Sequence, residues 1–440
     1  MAANVVADFQ QTVEEQIADY FDRVCKIAVS PQQDEAAVNR IFDLWIASAR
    51  GVWDETAAAS RTYASNYFRR DGDISIWFTG MTSGVLGAAF ANCTSGRAWC
   101  LDDSDQAGRI HPGAAVISTA LAIAQEQDSS REEIIRAIVG GYEVAGELNS
   151  CYAVVFTAAL LYKTSLPTLL CALRMAETRA PPHITVRNDK TFPTETLEDT
   201  PWSVITGLST LYQAKHGGEP FYMAGLLSSN THLSLGSASH ICTTYSKPYG
   251  CSRYAYAPLD ALLRLDDKHR FDRQAIEEIK VETHGIPPEI EGLAYQEEVD
   301  KVQHSIRHCL ALAFLEGPEF LLPIMTDTLT DEVSALVKKI KIDNATQLEG
   351  TLARVTVIYN GTSFESEVTA ARGGPTTPLS WEDLKEKFGS VIGEAAGDRI
   401  GEMLTSKDEQ DQILSAFESF KKDNDLTHLF RVCKINLLAR

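Results

Sequence analysis

The sequence predicts a mainly α protein of two parts: a large all-helical domain over residues 1–244, rejoined by the tail at 402–440, and a smaller α+β domain over 245–401. Three observations predict it. Apolar residues recur at helical spacing from the start to about Leu235. Strand-like alternation appears only after Lys247, and the tail segment DEQDQILSAFESF is helical again, so it is expected to return to the first domain.

The helical part reads in order. VVADFQQTVEEQIADYFDRVCKIA and AAVNRIFDLWIASA each carry one apolar stripe. SSREEIIRAIVGGYEVAGEL opens with a serine cap and acids in its first turn. TSLPTLLCALRMAE and PWSVITGLSTLYQAKHGG predict two more helices, the second closed by a glycine pair. Small residues in GVLGAAFA and GAAVISTALAIA let helices approach closely, which predicts a dense bundle. In the α+β part, IEEIKVETHG predicts a strand. LARVTVIYNGTSFESEVT predicts a hairpin: Val355, Val357 and Tyr359 alternate, and Asn360-Gly361 supplies the tight turn. SIRHCLALAFLEG and TDEVSALVKKIK are the intervening helices.

Composition excludes some partners. Lys+Arg 40 against Asp+Glu 60 leaves a net charge of -20, which argues against nucleic acid, since phosphates need a basic face. An anionic substrate would have to be met by locally gathered cations. The longest apolar run, YAVVFTAALLY, is too short to span a bilayer. The acidic, amphipathic start predicts no signal peptide. Nine scattered cysteines without a CxxC pair predict free thiols, no zinc site and a cytoplasmic setting, with a mitochondrial one also open.

Chemistry concentrates in three clusters. In LDDSDQAGRIHPG, His111 stands at the start of a helix, where backbone N–H groups favour an anion and an imidazole can move a proton. Asp102 and Asp103 orient His111, bind water, or cap a helix. Arg109 holds a substrate carboxylate or neutralises those acids. In YSKPYGCSRYAYAPLDALLRL, Lys247 and Arg253 flank a Pro/Gly turn, as suits a polycarboxylate, with solvated loop charges as the alternative. In KVQHSIRHCLALAF, His304, Arg307 and His308 open a helix. No phosphate loop, GxSxG elbow or HExxH helix appears. GGYEVAG follows no strand and speaks only faintly for a dinucleotide.

Five blocks in order resemble the MmgE/PrpD family of 2-methylcitrate and alkylcitrate dehydratases, cis-aconitate decarboxylases and iminodisuccinate epimerases. They are LDDSDQAGRIHPGAAVISTALAIAQ, AIVGGYEVAGEL, KPYGCSRYAYAPLDALLRL, QHSIRHCLALAFLEG and VTVIYNGTSFESEVTAARGGPTTPLSWEDLKEKF. The resemblance implies a homodimer with a helical domain, an α+β lid and an active site between them, and in some branches no cofactor. His111 matches a catalytic histidine, Lys247 a lysine that binds or polarises substrate, and Asp102, Asp103 and Ser104 the acid-rich loop beside the site. It implies a cofactor-independent lyase acting on a citrate- or cis-aconitate-like acid. An epimerase and a non-catalytic relative are the alternatives.

The chain departs from the family pattern in places. The stretch after GYEV, NSCYAVVFTAALLYKTSLPTLLCALRMAE, is short and lacks the family's second histidine. The position of a family lysine reads LEDTPW, with Leu197 in its place. His308 stands for a tyrosine, and Tyr256 stands where histidine is common. The missing proton-handling roles pass to His308 or Lys190, or the substrate is unusual, or activity is lost.

Overall fold

The computed structural model describes residues 11–26, 28–68, 72–105, 110–180, 193–220, 225–237, 239–284, 286, 302–322, 330–348, 352–393, 405–422 and 426–439, with side chains of the 193–220 stretch described from 200 onward. Eight helices lead the chain: α1 (Val13–Val24), α2 (Pro31–Gly51), α3 (Glu55–Tyr67), α4 (Val85–Arg97), α5 (Pro112–Gln127), α6 (Arg131–Glu147), α7 (Ser150–Leu161) and α8 (Leu166–Arg179). A short ribbon, β1 (Ile74–Ile76) and β2 (Met81–Ser83), sits between α3 and α4. The long α9 (Pro193–Lys215) and the single turn α10 (His240–Thr243) complete the first part.

Local chemistry sets the helix starts. Thr12, Ser30 and Ser130 each accept from the backbone N–H three residues on, and Glu15, Gln33 and Glu133 reach back to the cap. Each such cap contributes about 1 kcal/mol. The serine cap read from SSREE is therefore the one formed. Helices α4, α5 and α7 are buried on almost every side. The GG of GGYEV serves that packing. A Cβ on Gly141 would lie 2.2 Å from Thr157 Oγ1, and one on Gly140 would lie 2.9 Å from Phe156 Cε1. These glycines let α6 close on α7 and α5.

The second part begins with α11 (Tyr256–His269). It continues through β3 (Ile276–Thr283), α12 (Ile306–Leu315), α13 (Asp331–Val337), β4 (Ile340–Asn344), β5 (Leu352–Tyr359), β6 (Thr362–Glu365) and β7 (Thr369–Ala370). The sheet order is β4-β3-β5-β6, with β7 also on β5; β3 and β4 run parallel and the other pairs antiparallel. Ala353, Val355 and Val357 are fully buried, as period-2 patterning requires. The hairpin turns at Asn360 (φ 48°) and Gly361 (φ 70°), the positive pair that a type I′ turn demands.

Two apolar clusters result. One gathers Val13 to Ile241, the other Tyr245 to Ala371. The chain touches the first cluster again at Leu322 and rejoins it from Leu379 through α14 (Trp381–Ile392), then α15 (Lys407–Lys422) and α16 (Thr427–Val432). That is earlier than the return near 402 read from the sequence. Leu384, Phe388, Val391 and Ile392 form an ordinary amphipathic stripe, and such a stripe does not say which core it faces. Phe42 of α2 fixes the choice, with ring centroids 4.6 Å from Phe417, 4.8 Å from Trp381 and 5.7 Å from Phe388.

Candidate active site

The two clusters meet where the 101–105 loop lies against residues 244–250. Ser104 and Tyr245 form a two-way backbone bridge, with N–H to O distances of 3.1 and 2.8 Å. Lys387 of α14 ties the loop from the other side. Its Nζ donates to the Leu101 carbonyl at 2.9 Å and to Asp43 Oδ1 at 2.6 Å, both partners being buried. The acid loop is thus held by backbone and buried charge rather than left in solvent.

Asp102 is the centre of the site. It is fully buried, and three groups surround its carboxylate. Arg97, the last residue of α4, donates to Oδ2 at 2.7 Å. His111 Nδ1 is 3.3 Å from the same oxygen. Lys247 Nζ is 3.5 Å from Oδ1 and donates to Cys100 Sγ at 3.1 Å. Burial alone would push the Asp102 carboxyl up. Arg97, Lys247 and His111 outweigh it and hold the group well below the usual carboxylate range.

The adjacent acid does different work. Asp103 Oδ1 accepts from Gly113 N at 2.9 Å, and Oδ2 accepts from Tyr142 O–H at 2.5 Å. Asp103 therefore caps α5, although His111 occupies the cap position and makes no side-chain cap bond. Burial pushes its pKa up to about 6, against the pull of Arg40 and the Tyr142 hydrogen bond. Gly113 is needed here, because a Cβ would lie 2.7 Å from both Asp103 Oδ1 and the Tyr142 hydroxyl oxygen. Arg40 holds the next segment by bonding Ser246 Oγ and the Thr244 carbonyl.

His111 emerges with a defined tautomer. Nδ1 lies 2.7 Å from the Asp103 carbonyl and near the Asp102 carboxylate, and both are acceptors. Nδ1 therefore carries the hydrogen and Nε2 presents its lone pair. Burial, with Arg97 and Lys247 close by, lowers the pKa to about 3, so the ring is neutral at neutral pH. His304 is the other histidine in the field of these cations. It is 8% exposed, its Nε2 has no partner, and its pKa is lowered to about 4, first by burial and then by Lys247 and Arg97.

Other sequence candidates lie elsewhere. Arg253 opens a 3-10 turn (Arg253–Ala255), stacks over Tyr254 at 5.1 Å and makes no ion pair with the Asp102 cluster. His308 Nδ1 meets Ser305 Oγ at 3.1 Å, inside the α12 cap. Ser104 contributes through its backbone bridge. Tyr256, in the place where histidine is common, donates to the Cys251 carbonyl at 2.9 Å. Arg109 and Lys190, and the side chain of Leu197, lie outside the described residues.

The sequence reading missed Arg97, Tyr142, Arg40 and Cys100. A weak signal existed for Arg97, a lone cation ending a helix of small residues and followed closely by two acids. It also missed His240, whose Nδ1 is 3.1 Å from Asp105 Oδ2 and whose Nε2 is 3.1 Å from Glu147 Oε1. Those hydrogen-bonded acids raise its pKa to about 9 despite burial.

Two family models match the chain, the MmgE/PrpD N-terminal domain over residues 15–157 and the MmgE/PrpD C-terminal domain over 249–409. The chain belongs to the MmgE/PrpD family. The resemblance read from the five blocks therefore holds, and so does the mainly α fold. No curated protein matches the chain. The MmgE/PrpD family is one of dehydratases and related lyases, and Arg97, Asp102 and His111 of the cluster lie within the N-terminal match. His240 and Lys247 fall between the two matched stretches. No helix among the described residues is long and apolar enough to cross a membrane.

Proposed function

We propose that the protein is a cofactor-independent lyase that removes water or CO2 from a citrate- or cis-aconitate-like polycarboxylic acid, alkyl-substituted acids included. It works as a homodimer in the cytoplasm, in secondary metabolism. One observation carries this reading. A single buried carboxylate, Asp102, faces two cations, Arg97 and Lys247, beside a neutral histidine with an open Nε2. Both cations are buried in a chain of net charge -20. Such a site attracts an anion, and a carboxylate is the anion that also activates the neighbouring carbon.

Lys247 and Arg97 hold and polarise the substrate carboxylate, so charge that builds on it as carbon gives up a proton or CO2 is met by fixed donors. His111 moves the carbon proton through Nε2. Asp102 and the Asp103 carbonyl fix its tautomer. A bound polycarboxylate offsets the field that depresses His111, so its affinity for a proton rises when substrate arrives.

Citrate, alkylcitrates and cis-aconitate are the substrates to offer, with double-bond absorbance and CO2 release as the two readouts. His111→Gln is expected to cut turnover by about 10²- to 10⁴-fold with an unchanged melt. Full activity in that variant would remove His111 from the mechanism. Absence of turnover by the wild type on every such acid would overturn the lyase reading.

A further inference from the structure

The family's second histidine has no counterpart after GYEV, yet elimination of water needs two proton-handling groups. One takes a proton from carbon and another gives one to the departing oxygen. Among the described residues, His304 is a buried imidazole whose Nε2 meets no partner. His304 precedes Ser305, the cap of α12, and only 8% of it is exposed. Its backbone neighbourhood is pinned to the residues just after Lys247: Ser252 N donates to the Gln303 carbonyl at 2.8 Å. Cys309 Sγ points to the Val302 and Gln303 carbonyls at 3.6 and 3.8 Å.

The charged groups that act on His304 are Lys247, from the segment opening the second core, and Arg97, from the end of α4. These are the two cations that flank Asp102 beside His111. A buried polar atom without a partner costs about 1–3 kcal/mol. Nε2 of His304 is such an atom, and the buried ring is in the field of both site cations. His308, which also opens α12, is already bonded to Ser305 and carries no comparable vacancy.

We propose that His304 is the second proton-transferring residue, giving a proton from Nε2 to the leaving hydroxyl while His111 takes one from the adjacent carbon. The proposal rests on the lyase reading above and deepens it. The substrate is then a hydroxy-polycarboxylate with a hydrogen on the carbon beside the C–OH. Nε2 of His111 accepts that proton, and the C–H pair becomes the new π bond. The C–O bond breaks with its pair on oxygen, and His304 protonates it to water. Solvent then restores the two rings to their starting protonation. His304 is neutral in the free protein, so it must take up its proton with the substrate. Burial keeps the ring deprotonated first and the cations second; two or three carboxylates arriving beside Lys247 and Arg97 offset the cations and add negative charge that favours the protonated ring.

The test uses the full chain and His304→Gln. Two quantities are read: turnover of the hydroxy acid the wild type accepts, and proton uptake on binding propane-1,2,3-tricarboxylate, which has no hydroxyl to lose. Uptake is measured by calorimetry in buffers of different ionisation enthalpy. The expected result is a kcat lower by about 10²- to 10⁴-fold with KM little changed, and a smaller uptake at neutral pH. Wild-type turnover, or lost turnover with unchanged uptake, overturns the proposal, the second outcome marking a packing role. If H304Q melts early, His304→Ala with added imidazole carries the same test, and rescue is expected. A wild type that turns over none of citrate, alkylcitrates and cis-aconitate overturns the lyase reading, and this proposal with it; one that turns over cis-aconitate but no hydroxy acid overturns this proposal alone. Loss of turnover in H111Q together with wild-type turnover in H304Q overturns this proposal alone.

Discussion

Replacing Asp102 by Asn removes the charge on which the cluster is built while keeping its size. Arg97 and Lys247 are each 2% exposed, at 2.7 and 3.5 Å from the carboxylate. Opposite charges about 4 Å apart attract by about 4 kcal/mol at an effective dielectric near 20. Part of that gain offsets the desolvation of the ions, so the pair adds little over an apolar core. Removing one partner is different, because two cations then stay buried without an anion. Such losses run to about 3–5 kcal/mol. In a unit of this size that lowers the melting temperature by roughly 6–20 °C. Thermal melts and urea titrations of D102N at pH 7 measure it. The companion experiment is a cycle of Asp102→Leu, Arg97→Met and the double variant. The double removes a cation along with the anion and should lose clearly less than the sum of the singles. Additive energies, or a D102N loss below about 1 kcal/mol, would refute the view that Asp102 neutralises buried cations.

Two more perturbations follow from the packing around the site. The folded pKa of His240 is raised to about 9 by Asp105 and Glu147, against burial. Its stabilisation is therefore complete below the unfolded value near 6.5 and is lost as pH rises through about 9, so melts should fall across that window in the wild type and fall less in His240→Gln. Gly141→Ala should destabilise by at least about 1–3 kcal/mol in a chemical melt, because its Cβ would meet Thr157 Oγ1 at 2.2 Å; an unchanged midpoint would show that α6 and α7 can part freely.

Much of the fold was legible because it rests on local rules. Helical period, Ser130 with Glu133, and the Asn360-Gly361 turn state their structure within a few residues. His111 was legible too, since Pro112 marks a helix start and the family match gave the position its meaning. What escaped is what depends on distant partners. Nothing in DD says that one acid will cap α5 while its neighbour anchors Arg97, for both are buried aspartates with the same local pattern. His240 escaped because the acids that hold it, Glu143 and Glu147, reach it from another helix. Arg253 drew attention as a cation beside Lys247 in sequence, yet its ring partner is Tyr254 and the charge that joins Lys247 comes from α4.

The order of these residues explains how an acidic protein builds a site for an anion. At physiological salt the field of exposed charges fades within about 8 Å, so surface acids far from the seam matter little there. Buried charges are screened much less, so what a substrate meets is set by the groups at the seam. Arg97 and Lys247 are brought together by a helix end and by a segment crossing from one core to the other, and neither would tolerate burial alone. Asp102 makes that burial possible, and a substrate carboxylate would meet the same two cations. Burial first, and the same two cations second, hold His111 and His304 neutral in the free protein. Binding and proton transfer are thereby coupled through one pair of cations: a ligand too weakly charged to offset them would bind poorly and would also leave the histidines without the proton affinity that the chemistry requires.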